Sequence, residues 1–107
     1  MEPMEMVSIL GDKYKVRILM STSRIPRSAN YLISRHMIPV AACYRSLREL
    51  KDNGLLIEAE KVLTPGGKRV ALYRSRLNYL NLTFDRGIMR SELGFFTGER
   101  ESSQMVV

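Results

Sequence analysis

Positive charge is the first chemical feature of this sequence, and it is concentrated in two segments that lack acidic residues. The 107-residue chain has a formal net charge of +6 at pH 7. The first segment lies between Asp12 and Glu49, and the second lies between Glu60 and Asp85. Their cations are Lys13, Lys15, Arg17, Arg24, Arg27, Arg35, Arg45 and Arg48, followed by Lys61, Lys68, Arg69, Arg74 and Arg76. Cations without acidic neighbours indicate phosphate binding, although two solvated basic faces would give the same pattern.

Nucleophilic and metal-binding residues are scarce, because the chain has one cysteine, Cys43, and one histidine, His36. Neither a disulfide within the chain nor a thiolate metal site within one subunit can therefore form. No catalytic motif occurs, and the run GGKR at 66–69 lacks the spacing of a phosphate-binding loop. We expect neither an enzyme nor a bound cofactor. Cys43 is expected in the core, and His36 is expected to pack or to contact phosphate.

The sequence also predicts where the protein works. It opens without a cationic segment followed by an apolar stretch, so no signal peptide is expected. No run of about 18 apolar residues occurs that could span a bilayer. A single cysteine suits a reducing compartment, so we expect a cytoplasmic protein.

Capping residues and apolar spacing predict the helices. Apolar residues at steps of three and four predict a helix over 4–22, broken near Gly11 and capped again by Asp12. Ser28 is a predicted N-cap for a short helix over 29–36. After a tight turn, Pro39 suits the start of a helix over 40–52, with Val40, Cys43, Leu47 and Leu50 as its buried stripe. Gly54 is the predicted left-handed residue that ends this helix.

Two hairpins are predicted after the helices. Strands over 55–63 and 70–73 enclose the turn TPGG at 64–67. Alternating apolar residues from Leu80 predict a second hairpin that turns at 85–87 and returns over 88–93, whereas a helix over 88–96 would bury similar residues. The residues from Thr97 onward are too polar to build a core, so a flexible tail is expected over 97–107.

The order of helix, helix, turn, helix and basic hairpin indicates an α+β fold, a winged helix-turn-helix. A recognition helix buries one stripe and presents small or hydrogen-bonding residues to a DNA groove about 12 Å wide. In the helix over 40–52, Ala41, Ala42 and Ser46 would allow close approach to DNA. Candidate contacts from the same helix are Tyr44, Arg45 and Arg48, and candidate contacts from the hairpin tip are Lys68 and Arg69.

Three runs of sequence resemble ArsR-like transcriptional regulators. Residues 10–19, LGDKYKVRIL, are similar to the opening helix of that family. Residues 38–50, IPVAACYRSLREL, followed by NGLL at 53–56, are similar to its recognition helix. Residues 63–75, LTPGGKRVALYRS, resemble the wing of an archaeal subgroup. The resemblance covers about residues 7–76.

The resemblance implies a homodimer that binds double-stranded DNA at a pseudopalindromic operator and acts as a repressor. The positions that match DNA-contacting positions of the family are Ala41, Ala42, Tyr44, Arg45, Arg48, Lys68 and Arg69. The metal-binding cysteines of sensor members are missing, and nothing in the sequence marks an effector pocket. Dimerisation is expected through the first helix and the C-terminal hairpin, with Gly94, Phe95 and Phe96 as a candidate patch that could equally close the monomer core.

Two functions of different classes follow from these observations. We expect one DNA-binding domain over 1–96 that regulates transcription, followed by the tail over 97–107. The alternative is a winged-helix module that binds a protein of the transcription or replication machinery. Arg45 and Arg48 on the exposed side of the helix favour the first.

Overall fold

The predicted capping residues are where the helices begin and end. The computed structural model describes residues 1–107 and contains four helices: α1 (Pro3–Leu10), α2 (Lys13–Ser21), α3 (Ala29–His36) and α4 (Val40–Asp52). The Asp12 carboxylate accepts hydrogen bonds from the first backbone N–H groups of α2, and the Ser28 hydroxyl accepts one from Tyr31 at the start of α3. Gly54 has a φ of +77° just beyond α4, a conformation in which glycine has no steric cost.

The strands form two antiparallel three-stranded sheets. They are β1 (Arg27–Ser28), β2 (Leu56–Leu63), β3 (Arg69–Ser75), β4 (Leu77–Asp85), β5 (Ile88–Phe95) and β6 (Arg100–Val106). In the first sheet β3 lies between β1 and β2, so the hairpin β2–β3 is attached to the segment that precedes α3. In the second sheet β5 lies between β4 and β6. The hairpin expected over 80–93 is therefore confirmed, and no helix forms over 88–96.

The C-terminal segment is a strand, and the expectation of a flexible tail over 97–107 is wrong. Strand β6 pairs with β5 from Ile88, opposite Val106, to Gly94, opposite Arg100. The polar composition of this segment did not indicate a strand, because β6 is mostly exposed and its side chains do not have to form a core. Its backbone N–H and C=O groups pair with those of β5, and hydrogen bonding of this kind does not depend on apolar side chains.

One apolar core connects the helices to both sheets. Each helix contributes a side chain that is at most 2% exposed, namely Met6, Ile18, Leu32 and Leu47, and β5 contributes Leu93. At about 25 cal/mol per Å² of apolar surface, each such side chain contributes roughly 1.5–3 kcal/mol on burial. Helix α4 therefore has a rigid support, and its opposite face is left in solvent.

Arg76 connects the two sheets at the point where β3 ends and β4 begins. Its guanidinium donates a hydrogen bond of 2.7 Å to the Gly54 carbonyl oxygen and lies 4.9 Å from the centre of the Phe95 ring. Phe95 is 5% exposed, so it closes the core of the monomer and is not part of a surface patch. Phe96 is 49% exposed.

The fold is thus α+β, and the order α2, β1, α3, α4, β2, β3 is compatible with a winged helix-turn-helix. None of the four helices has the length and hydropathy that crossing a lipid bilayer requires.

Candidate nucleic-acid interface

Helix α4 presents a solvent-exposed face opposite its buried stripe. Ala41, Tyr44, Arg45 and Arg48 are all exposed, and they recur at the spacing of one helix face. Tyr44 is 51% exposed, which leaves its hydroxyl free to meet a partner. The face therefore combines a small residue, a hydroxyl and two guanidinium groups, which suits close approach to a phosphate-lined groove.

Two expected members of this face are buried instead. Ala42 is 8% exposed and belongs to the core, and Ser46 is 2% exposed. The expectation that Ala42 contacts DNA is therefore corrected, because its methyl group packs inside the protein. Val40 was expected on the buried stripe but is 58% exposed, so it joins Ala41 at the start of the exposed face.

Val40 is thus a further exposed residue at the start of α4 that the sequence pattern did not predict. It is the first residue of α4, and the buried residues of this helix begin only at Ala42. An exposed branched methyl side chain beside Ala41 can contact the methyl group of thymine, which is a recognised apolar contact in the major groove. Pro39 marks the start of the helix in the sequence, so it also marks Val40 as a residue of the first turn, which the core covers least.

The two arginines of the α4 face have no carboxylate partner. All salt bridges of the chain involve other cations, and the nearest acidic residue along the helix, Glu49, pairs with Lys15 at 2.6 Å. The hydrogen bond and charge of Lys15 lower the pKa of Glu49, and the charges of Arg45 and Arg48 add to this effect. The salt bridge between Glu49 and Lys15 thus connects α4 to α2. The guanidinium groups of Arg45 and Arg48 remain available to an external anion.

The tip of the β2–β3 hairpin carries the other pair of predicted cations. Lys68 and Arg69 are exposed and take part in no salt bridge. The turn is held by the Thr64 hydroxyl, which accepts a hydrogen bond from the Lys68 N–H, and Gly67 adopts a φ of +82°. The hairpin therefore presents two free cations on a defined turn.

Tyr73 of β3 packs against the core, which also contains Cys43 of α4. Burial raises the pKa of Tyr73, with further contributions from the charge of Glu58 and from Tyr44 and Cys43, so its hydroxyl stays protonated. Cys43 is fully buried and its thiol points to the Ala29 carbonyl oxygen at 4.0 Å. Burial raises the pKa of this thiol, which makes it less reactive, and its expected place in the core is confirmed.

His36 ends α3 among arginines. Burial lowers the pKa of its imidazole, and the charges of Arg35, Arg17 and Arg27 lower it further. Its Nε2 atom is buried without a hydrogen-bond partner. His36 therefore belongs to a cationic group on α2, β1 and α3 that is separate from the predicted contacts on α4.

This lowered pKa predicts a pH-dependent stability. The unfolded chain binds a proton at His36 more readily than the folded chain, so the free energy of unfolding should fall as pH drops below the ordinary imidazole value of 6.5. We expect the His36→Gln variant to flatten this part of the curve, measured by urea unfolding at a series of pH values. An unchanged slope in that variant would assign the effect to other groups.

Comparisons with known proteins find similarity among solved structures only. No protein-family model matches the chain, and no curated protein matches it. Among solved structures the chain is similar to a ROK family transcriptional regulator, described as a homolog of the E. coli MLC protein. The similarity has a TM-score of 0.43 and 21% sequence identity over 85% of this chain. This chain spans 24% of the length of that regulator.

Proposed function

We propose that this protein is a double-stranded DNA-binding transcriptional regulator that acts as a homodimer. The observation that carries the proposal is the set of four cations without carboxylate partners on the exposed face of α4 and the β2–β3 tip: Arg45, Arg48, Lys68 and Arg69. The resemblance of residues 7–76 to ArsR-like regulators of an archaeal subgroup supports the same function, and it supports repression as the mode of action.

In the proposed complex α4 lies in the major groove. Arg45 reaches a base edge or a phosphate, and Tyr44 and Arg48 donate to phosphates at the rim of the groove. Ala41 permits the close approach, and Val40 supplies an apolar contact. The β2–β3 hairpin acts as the wing, with Lys68 and Arg69 on the neighbouring phosphates or in the minor groove.

The wing predicts a specific change in salt dependence. Each Lys68→Gln or Arg69→Gln substitution should weaken binding to all duplexes alike and should reduce the slope of log affinity against log salt by about 1, because one fewer counterion is released. The measurement is a fluorescence-anisotropy titration of a labelled duplex over a range of salt concentrations.

Arg90→Gln is the control for the wing variants. Arg90 is an exposed cation on β5 of the second sheet, so its loss changes the net charge equally but removes no proposed phosphate contact. An equal change in slope for the control would mean that net charge, and not the wing, determines binding.

A homodimer needs an apolar surface, and α1 offers one. Met4, Val7 and Leu10 are 50%, 36% and 45% exposed and recur every three residues. Leu10 borders a shallow cavity of about 220 Å³, together with Met20, which is 73% exposed. An exposed apolar stripe beside an apolar cavity is typical of a protein-protein interface.

A negative charge introduced into the exposed apolar stripe of α1 should separate the subunits. We expect Met4→Glu to convert a dimer into a monomer, measured by sedimentation velocity, because a carboxylate would be buried without a partner. Met4 lies in the first turn of α1, where a negative charge favours the helix dipole, so the monomer should remain folded. Ser34→Glu places the same charge on an exposed polar position of α3, outside the α1 stripe, and should leave the dimer intact.

The alternative, a protein-binding module, is favoured by exposed apolar side chains on the hairpins. Leu63 of β2 is 70% exposed and Phe84 of β4 is 73% exposed. A protein partner held by these residues would bind with little salt dependence. The salt titration therefore discriminates between the two functions.

A further inference from the structure

A second cationic site lies away from the exposed face of α4. A cavity of about 570 Å³ opens between the end of α2, the loop that follows it, β1 and α3. Arg24, Arg27 and Arg35 line it, together with Tyr31 and His36. Three different elements thus bring their cations to one concave surface.

No carboxylate balances this charge. None of the three arginines, nor the adjacent Arg17, takes part in a salt bridge, and no acidic residue lines the cavity. Cations repel one another at short range, and no charge of the protein neutralises these three. An anion in the cavity would reverse the sign of this interaction.

Two buried nitrogen atoms at this site have no hydrogen-bond partner. They are Nε of Arg27 and Nε2 of His36. Nearly all buried polar atoms in proteins are hydrogen-bonded, so this pair leaves hydrogen-bonding capacity at the cavity that a bound anion would use. The Arg27 guanidinium is already fixed in place, since it stacks 4.2 Å from the centre of the Tyr31 ring.

We propose that this cavity binds a small oxyanion of the phosphate class. A phosphate group has several acceptor oxygens and two charges near neutral pH, so it can accept hydrogen bonds from Arg27, Arg35 and the imidazole of His36 together. Guanidinium groups are well suited to this because they donate through two parallel N–H groups. The phosphate can belong to a free metabolite, where it carries up to two charges, or to the backbone of bound DNA, where each phosphodiester carries one.

The charges that face His36 favour an anion at this site. Arg17 from α2, Arg27 from β1 and Arg35 from α3 surround the imidazole and, with burial, lower its pKa. A bound dianion would oppose these charges and raise the pKa of His36. The imidazole would then gain a proton and donate a hydrogen bond to the anion.

The test uses the fact that His36 is the single histidine of the chain, so its imidazole C–H signals in an NMR spectrum need no assignment. The free protein is titrated with inorganic phosphate, with sodium chloride added to keep the ionic strength constant. We expect a saturable shift of the His36 signals and a higher His36 pKa at saturation. Arg24→Gln and Arg35→Gln, at two exposed positions, should each weaken phosphate binding about tenfold.

The matched control is Arg90→Gln, which removes the same charge from the second sheet and should leave phosphate binding unchanged. No saturable shift of His36, or an equal loss in the control, would overturn the proposal. A duplex of random sequence at low salt then identifies the source, given the proposed DNA binding. If phosphate and duplex compete, the site holds a backbone phosphate, and if both bind together, it holds a free anion. If no duplex binds, the proposed function fails, whereas the phosphate titration still decides the anion site.

Discussion

Replacing Arg45 with alanine should lower the affinity for the preferred duplex by about 1–3 kcal/mol, which is the usual contribution of a guanidinium that reads a base edge. The expected loss is large because Arg45 is exposed on α4 and forms no salt bridge with a carboxylate of the protein. Preference at one base position should relax at the same time. The measurement is a set of binding titrations on the preferred duplex and on variants with single base changes.

The structure offers a control in Arg90→Ala, since Arg90 is an equally exposed cation on the second sheet. It should leave both affinity and base preference unchanged. An equal loss for Arg45→Ala on every duplex would show that Arg45 contacts phosphate alone. No loss on any duplex would remove α4 from the interface.

Gly94→Ala should destabilise the fold by about 1–3 kcal/mol, the usual cost of forcing extra volume into a packed site. The ring of Tyr79 lies directly over Gly94, and a Cβ atom there would overlap Tyr79 Cε1. The ring cannot move away freely, because the Tyr79 hydroxyl donates a hydrogen bond of 2.5 Å to Glu92. This hydrogen bond is the largest cause of the raised pKa of Tyr79, ahead of burial and the charge of Glu92.

A double-mutant cycle measures this contact directly. In the Tyr79→Ala background Gly94→Ala should cost much less than in the natural protein, because the clashing ring is gone. Gly66→Ala is the control glycine substitution, as its nearest neighbour would lie 3.9 Å away. Urea unfolding is measured at one protomer concentration throughout, since dimer stability depends on concentration. Equal costs in both backgrounds would contradict the packing of Tyr79 on Gly94.

Local signals in the sequence were sufficient to predict most of the helices and hairpins. Asp12, Ser28 and Gly54 act within a few residues of their own position, and their hydrogen bonds or φ values are those expected of caps. The turn of the second hairpin also depends on residues that are close together in the sequence. Arg86 and Gly87 have φ values of +53° and +78°, the pair of positive angles that joins two strands by the shortest turn.

The errors concern features that depend on distant parts of the chain. Ala42 and Ser46 are small enough to fit either a groove or a core, and only the packing of α4 on the other helices decides that both are buried. Strand β6 forms because β5 has a free edge, which composition does not reveal. The cavity around His36 requires α2, β1 and α3 to meet, so its arginines appeared in the sequence only as scattered cations.

DNA binding by the purified protein is measured on fragments of the region upstream of its own gene, titrated over salt with random duplex as competitor. We expect saturable binding that survives the competitor, falls steeply with added salt and protects a symmetric footprint. Absence of binding to any duplex at low salt would contradict this expectation, and the exposed face of α4 would then have to serve a protein partner.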